Sequence, residues 1–114
     1  MEMSTSVHDG NLVITVDENR IDAAVAMVFK DMMKDLTSRA HGRVIVDLTA
    51  VNFVDSSGLG AVVGSMKQLG RGRRMDLVGL SATVDKVFRM TRMDSVFRIY
   101  KTLEEATQET VDAS

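Results

Sequence analysis

The chain has 114 residues, 45% of them hydrophobic and 26% charged, which is the size and composition of one compact domain over residues 1–114. It has no Cys, which excludes disulfides, a thiolate nucleophile and cysteine metal sites, and its net charge of −2 does not favour nucleic acid as a partner. It shows neither a signal-peptide pattern nor an apolar run long enough to span a membrane, so we expect a cytoplasmic protein with no membrane contact.

Two short β-type runs stand near the start of the chain. Met3–Val7 and Asn11–Val16 lie on either side of Asp9-Gly10, and Asp-Gly is a common turn between antiparallel strands. The second run has one fully apolar face. The pattern predicts a β-hairpin.

The periodicity changes from strand to helix at Asp22. Apolar residues then recur at spacings of three and four, which is typical of an amphipathic helix, with Asp22 as its N-cap and Gly42 closing the segment. The predicted apolar stripe consists of Val25, Val28, Phe29, Met32, Leu36 and Ala40.

Strands and helices alternate in the rest of the chain. Val44–Val46 is continuously β-branched, which is typical of a strand covered on both faces. Further strands are predicted at Met75–Leu80 and Val96–Tyr100, and helices at Ser57–Leu69, at Thr83–Thr91 and after Thr102, which can form a capping box with Glu105. This order, ββαβαβαβα, predicts an α/β fold with a mixed, partly parallel β-sheet, an N-terminal hairpin and about four helices.

Basic side chains are concentrated in residues 66–101, which carry nine Lys and Arg against three acidic residues. They could form a nucleic-acid-facing patch, or they could be solvated positions on several elements. We favour solvated positions, because a platform for single strands needs exposed aromatic rings. The nearby aromatic residues are all expected in the core: Phe53, Phe88 and Phe97.

The most unusual segment is NFVDSSGLGA at residues 52–61, which follows a strand and opens a helix. Asp55, Ser56 and Ser57 therefore lie at a helix N-terminus, where one interpretation is simple capping of free N–H groups. A functional interpretation rests on three points. Three oxygen-bearing side chains are consecutive. Glycines at 58, 60 and 64 each weaken the helix by about 1 kcal/mol relative to Ala, a cost that a close backbone approach would explain. Ligand sites also gather at the carboxyl ends of parallel strands.

Catalysis is not expected, because the parts of a catalytic site are missing. A serine nucleophile needs a base within reach, and both histidines, His8 and His41, are predicted on the surface away from Ser56. The chain has no G-x-S-x-G motif, no phosphate-binding loop with its Lys and no dinucleotide fingerprint, and two scattered histidines make a poor zinc site. We therefore predict no cofactor and no metal, and a serine-dependent hydrolase is the least favoured alternative.

The nine methionines could fill the core or form an adaptable binding surface. Core filling is expected for those on apolar helical stripes. Met90 and Met93 flank the end of the third predicted helix, and we expect them to be partly exposed near a partner surface.

Three segments resemble the anti-sigma factor antagonists, which are small single-STAS-domain proteins: VIVDL from Val44, FVDSSGLG from Phe53 and VDKVF from Val84. The resemblance covers nearly the whole chain and implies a STAS-like fold and a partner-switching protein without catalysis of its own. It implies that the unphosphorylated form binds an anti-sigma factor that is also an ATP-dependent serine kinase, which frees the sigma factor. Phosphorylation then breaks the complex, and a PP2C-type phosphatase restores it.

The same resemblance implies roles for particular residues. Ser56 maps onto the phosphoacceptor, Asp55, Ser57 and Gly58 surround it, and Asp22 helps to line the partner-binding surface. A monomer is implied for the free protein. The alternative is a STAS-type scaffold or subunit of a stress-signalling or lipid-transport complex, in which the same surface holds a constitutive partner.

Overall fold

A five-stranded mixed β-sheet forms the centre of the computed structural model, which describes residues 1–112. Residues 113–114 of the predicted domain lie outside the described part. The strands are β1 (Met3–His8), β2 (Asn11–Val16), β3 (Arg20–Ile21), β4 (Val44–Asp47), β5 (Phe53–Val54), β6 (Met75–Val78) and β7 (Ile99–Tyr100). The helices are α1 (Ala26–Ser38), α2 (Ser56–Lys67), α3 (Ala82–Met90) and α4 (Leu103–Asp112).

The strand order of the main sheet is β1-β2-β4-β6-β7. β1 and β2 pair antiparallel as the predicted hairpin, whereas β2–β4, β4–β6 and β6–β7 pair in parallel. The predicted α/β fold with a mixed sheet, an N-terminal hairpin and four helices is therefore confirmed.

The sheet is covered on both faces, as the β-branched run in β4 predicts. Val44 and Val46 pack in the larger core cluster, which includes Phe29 of α1, Val62 of α2 and Phe88 of α3. Ile45 points to the other face and packs in a smaller cluster with residues of α4. Within residues 1–112, no helix combines the length and the apolar character that crossing a bilayer requires.

The sequence prediction missed a small second sheet, in which β3 and β5 pair in parallel. Two-residue strands are too short to show a period, and each forms only because the other is present. Successive side chains in a strand point to opposite faces, so Val54 is buried while Phe53 is 42% exposed. The prediction that Phe53 lies in the core is wrong, whereas Phe88 and Phe97 are buried as expected.

The prediction that Asp22 caps the first helix is also wrong. The Asp22 carboxylate accepts a hydrogen bond from the N–H of Ala24 at 3.1 Å, in a turn directly after β3, and α1 begins only at Ala26. Asp side chains stabilise such turns as readily as helix N-termini, so the residue type alone does not distinguish them.

Other predicted boundaries shift by a few residues. α1 ends at Ser38, before Gly42, and Val28 of its predicted stripe is 47% exposed. The strand predicted to reach Leu80 ends at Val78, because Gly79 turns the chain with a φ of +76°. The last predicted strand shrinks to β7, because a 3₁₀ turn at Met93–Ser95 precedes it.

The predicted cap of the last helix is present. The N–H of Glu105 donates to the hydroxyl of Thr102 at 3.1 Å. The Glu105 carboxylate accepts from the N–H of Lys101 at 3.3 Å rather than from that of Thr102, so the reciprocal half of the box is displaced by one residue.

Candidate functional site

The β3–β5 pairing brings together the two separate segments that the sequence analysis assigned to a binding surface. β3 and β5 follow the parallel strands β2 and β4, so both segments lie beyond carboxyl ends of the main sheet. Asp22 directly follows β3, and Asp55 directly follows β5. The N–H of Asp55 donates to the carbonyl oxygen of Ile21 at 3.4 Å. Asp22 and residues 55–57 therefore belong to one surface region.

Asp55 is the N-cap of α2, and its carboxylate joins the two segments. One carboxylate oxygen accepts from the N–H of Gly58 at 2.8 Å, and the other accepts from the N–H of Ala23 at 3.0 Å. The Gly58 hydrogen bond is the main cause that holds the pKa of Asp55 below its usual value, with the N–H groups of Ala23 and Ser57 and the charge of Arg20 adding to it and partial desolvation opposing it. Asp55 is therefore ionised at neutral pH and occupies the positive end of the helix dipole.

Gly58 is a packing residue. It is buried, and a Cβ atom there would overlap the carbonyl oxygen of Ile21. The close backbone approach that the glycines suggested therefore occurs at this position. A Cβ atom at Gly60 would point into open space, and one at Gly64 would lie 3.0 Å from Cε at the flexible end of Lys30.

Ser56 and Ser57 are the first two residues of α2, and both are exposed. Because Asp55 supplies the side-chain cap, neither hydroxyl is needed for it. Within residues 1–112, the Ser56 hydroxyl makes no hydrogen bond to the protein. The region thus presents an exposed, unengaged hydroxyl on a rigid helix end.

An exposed methionine lies beside the two serines. Met27 of α1 is 79% exposed and borders, with Ser57 and Gly60, a shallow depression of about 180 Å³ between α1 and α2. The predicted site does not include Met27, although its position off the predicted apolar stripe indicates an exposed side chain. Met90, expected near the partner surface, is 73% exposed at the end of α3.

An aromatic–cation pair lies on the small sheet that carries the site. Arg20 and Phe53 are register partners, and the Arg20 guanidinium carbon lies 4.9 Å from the centre of the Phe53 ring. The Nε atom of Arg20 also lies 3.0 Å from the carboxylate of Asp22. The sequence does not predict this pair, because only the pairing of β3 with β5 brings the two residues together.

Neither histidine is placed to act on the serine hydroxyls. His8 ends β1 at the hairpin turn, at the amino end of β2, whereas the site lies beyond the carboxyl ends. His41 lies after the last residue of α1, whereas Ser57 lies beside the first residues of that helix. The two ends of α1 are about 18 Å apart. In the part of the chain that the structure describes, no group of three His, Asp or Glu residues could hold a metal ion.

Several basic side chains of residues 66–101 make contacts within the protein. Arg74 pairs with Asp76 at 3.0 Å, and Arg89 pairs with Asp85 at 2.9 Å. Arg73 donates to the carbonyl oxygens at the end of α1 and at residue 42. These contacts support the interpretation that the basic residues serve several elements rather than one nucleic-acid surface.

The chain is similar to known proteins over most of its length. A family model described as the STAS domain matches residues 2–106. An anti-sigma-B factor antagonist of Listeria monocytogenes is 35% identical over 81 residues, covering 69% of this chain and 70% of that protein.

Two solved structures of similar proteins share the fold. The crystal structure of an anti-sigma factor antagonist from Mycobacterium paratuberculosis superposes with a TM-score of 0.84 at 24% identity, covering 95% of this chain and 92% of that one. The Bacillus cell fate determinant SpoIIAA in its phosphorylated form superposes with a TM-score of 0.67 at 25% identity, covering 96% of this chain and 99% of that one.

Proposed function

Because the chain belongs to the STAS domain family, we propose that it is an anti-sigma factor antagonist that switches partners through phosphorylation of Ser56. In this cycle the unphosphorylated chain binds an anti-sigma factor that is also an ATP-dependent serine kinase, and the sigma factor is freed. The kinase phosphorylates Ser56, the complex separates, and a PP2C-type phosphatase restores the unmodified form. The chain itself supplies the acceptor hydroxyl and a docking surface, and no catalytic group.

The observation that carries the proposal is the exposed Ser56 hydroxyl at the start of α2. Asp55 already caps the helix, so modifying Ser56 breaks no hydrogen bond of the fold. A kinase can reach the hydroxyl without unfolding the helix, because the residue is exposed. The similar Bacillus protein has a phosphorylated form, and the curated relatives are named as antagonists of anti-sigma factors.

The charges around Ser56 make a phosphate act differently on the free chain and on a complex. A phosphate adds about −1.5 to −2 charges, which an exposed helix N-terminus tolerates or favours by about 0.3–1 kcal/mol. In an interface the same group lies beside the carboxylate of Asp55, the preceding residue, and loses water. Burying an ion without a paired cation costs several kcal/mol. The free fold therefore persists while the complex separates.

The first test is phosphorylation of the purified chain by an anti-sigma kinase and ATP. We expect mass spectrometry to find one phosphate, on Ser56, and we expect Ser56→Ala to bind the kinase but to remain unmodified. A phosphate on Ser57 would contradict the assignment of the acceptor. A partner that binds equally before and after kinase treatment would support the constitutive scaffold instead.

The apolar side chains beside Ser56 supply the rest of the proposed docking surface. These side chains are Met27, which borders the depression beside Ser57, and Phe53, which lies on the small sheet. Met27 is the more exposed of the two. A buried Met side chain contributes about 1.5–3 kcal/mol, and a charge in its place must be desolvated. We therefore expect Met27→Glu to weaken binding to the anti-sigma factor by about tenfold or more, measured by titration calorimetry.

Met90→Glu is the matched control for this substitution. Met90 is exposed to a similar extent but does not border the depression beside Ser57. If the docking surface is confined to the region beside Ser57, this substitution should leave the affinity within about twofold, because a solvated surface charge changes little. If Met90→Glu weakened binding as strongly as Met27→Glu, the docking surface would extend to α3, as the sequence analysis expected.

A further inference from the structure

β1 forms an open edge of the main sheet. Its register partners are all in β2, and among residues 1–112 no other strand lies on its outer side. An edge strand presents a row of N–H and C=O groups that can pair with another chain. A six-residue strand is long enough to offer several such groups.

The usual features that protect an edge are missing from β1. Natural edge strands carry Lys, Pro, a bulge or a cover of other elements, which block pairing with further strands. β1 reads MSTSVH, without Pro and without a Lys, Arg, Asp or Glu residue. Val7 on this strand is 70% exposed. The edge is therefore uncharged along most of its length and partly apolar.

The hairpin turn determines which backbone groups point outward. Asp9 and Gly10 have φ values of 52° and 81°, as a two-residue type I′ turn requires. The residues that flank such a turn, His8 and Asn11, form a hydrogen-bonded pair, and hydrogen-bonded and non-hydrogen-bonded pairs then alternate along the hairpin. The N–H and C=O groups of Val7, Thr5 and Met3 consequently point away from β2.

We propose that β1 pairs antiparallel with β1 of a second copy of this chain, with Thr5 opposite Thr5 on the two-fold axis. The two five-stranded sheets then form one continuous ten-stranded sheet. In this register Ser4 lies opposite Ser6, Met3 opposite Val7, and Glu2 opposite His8 of the other copy. The outward-pointing residues at positions 3, 5 and 7 make the new hydrogen-bonded pairs.

The sequence of the strand is complementary to itself in this register. Met3 and Val7 share one sheet face, so each copy places an apolar side chain against an apolar one. The carboxylate of Glu2 lies opposite the imidazole of His8, both exposed in the single chain, and no like charges meet. Glu2 already continues the strand, because its carbonyl oxygen accepts from the N–H of Asp17 at 2.9 Å.

Such a contact makes a weak dimer. A single pair of edge strands buries less than the roughly 1,200 Å² of a stable standard interface, so we expect association that depends on concentration. It also departs from the monomer that the family resemblance implies. None of the residues of the proposed phosphorylation site belongs to β1, so the inference is independent of the proposed function.

Charge substitutions at Thr5 test the proposal. Thr5→Lys and Thr5→Glu each place like charges directly opposite one another on the axis, which destabilises a cross-strand pair. In sedimentation equilibrium we expect the wild type to dimerise in the micromolar to millimolar range. We expect each variant alone to raise the dimer dissociation constant by at least about tenfold, and an equimolar mixture of the two variants to restore association as a heterodimer.

Ser6→Lys is the matched control on the same strand. The introduced Lys would lie opposite the uncharged Ser4 and should have a smaller effect than Thr5→Lys. Circular dichroism checks that all variants keep the wild-type fold. A wild type that stays monomeric at about 1 mM would overturn the proposal. So would a dimer that Thr5→Lys leaves unchanged, or a mixture of the Lys and Glu variants that fails to associate.

Discussion

Replacing Ser56 with Asp is expected to weaken binding to the anti-sigma factor by about tenfold to hundredfold while leaving the free energy of unfolding nearly unchanged. A phosphate whose net interfacial cost is about 3–4 kcal/mol would weaken binding by a few hundredfold or more. An Asp side chain carries about half of that charge, so roughly half of that free energy is expected. Titration calorimetry of the variant against the anti-sigma factor measures the effect.

The stability of this variant separates a switch from a structural role. The Ser56 hydroxyl makes no hydrogen bond within the described residues, and Asp55 supplies the cap of α2. An added carboxylate at the first position of a helix changes stability by about 0.3–1 kcal/mol. Denaturant unfolding should therefore give nearly the wild-type value. A variant that unfolds would instead show that Ser56 is part of the fold.

Ser56→Asn is the control for the size of the side chain. Asn and Asp have almost the same volume, but Asn carries no charge. If charge carries the effect, the Asn variant should bind within a few-fold of the wild type, and the loss in the Asp variant should shrink as salt screens the carboxylates. Equal losses in both variants would show that shape at position 56, rather than charge, controls binding.

The sequence predicts those elements of the fold in which the periodic pattern of apolar residues extends over enough positions to be recognised. The continuous β-branched run of Val44–Val46 correctly indicated a strand covered on both faces, and the alternation of helices and strands indicated a mostly parallel sheet. β3 and β5 could not be predicted, because each has two residues and exists only through pairing with the other. The prediction that Asp22 is a helix N-cap is wrong because a turn and a helix N-terminus favour the same residue type.

The candidate site also has a part that the sequence predicts and a part that it does not. Asp55, Ser56, Ser57 and Gly58 are consecutive, so a local motif could identify them. The site also includes side chains from other elements, such as Met27 of α1 and the Arg20–Phe53 pair. Only tertiary packing brings Met27 and Arg20 to the start of α2, so no local motif links these two residues to Ser56.

Gly58→Ala is expected to destabilise the protein by about 3 kcal/mol or more, because the new methyl group would overlap the carbonyl oxygen of Ile21. That oxygen belongs to the backbone of β3, which is held by its pairing with β5 and cannot rotate away as a side chain can. Overpacking a well-packed site costs about 1–3 kcal/mol even where side chains can adjust. The start of α2 and β3 must separate, which also displaces Ser56.

Gly60→Ala, two residues further along the same helix, is the matched comparison. Apart from the two neighbouring residues and the backbone of α2 itself, no atom lies within 4 Å of a Cβ atom at this position, so Ala should stabilise the helix by about 0.5–1 kcal/mol. Thermal and denaturant unfolding of the two variants should therefore give changes of opposite sign. A Gly58→Ala protein as stable as the Gly60→Ala protein would mean that α2 and β3 do not meet as closely as the Asp55 cap and the Ile21 carbonyl require.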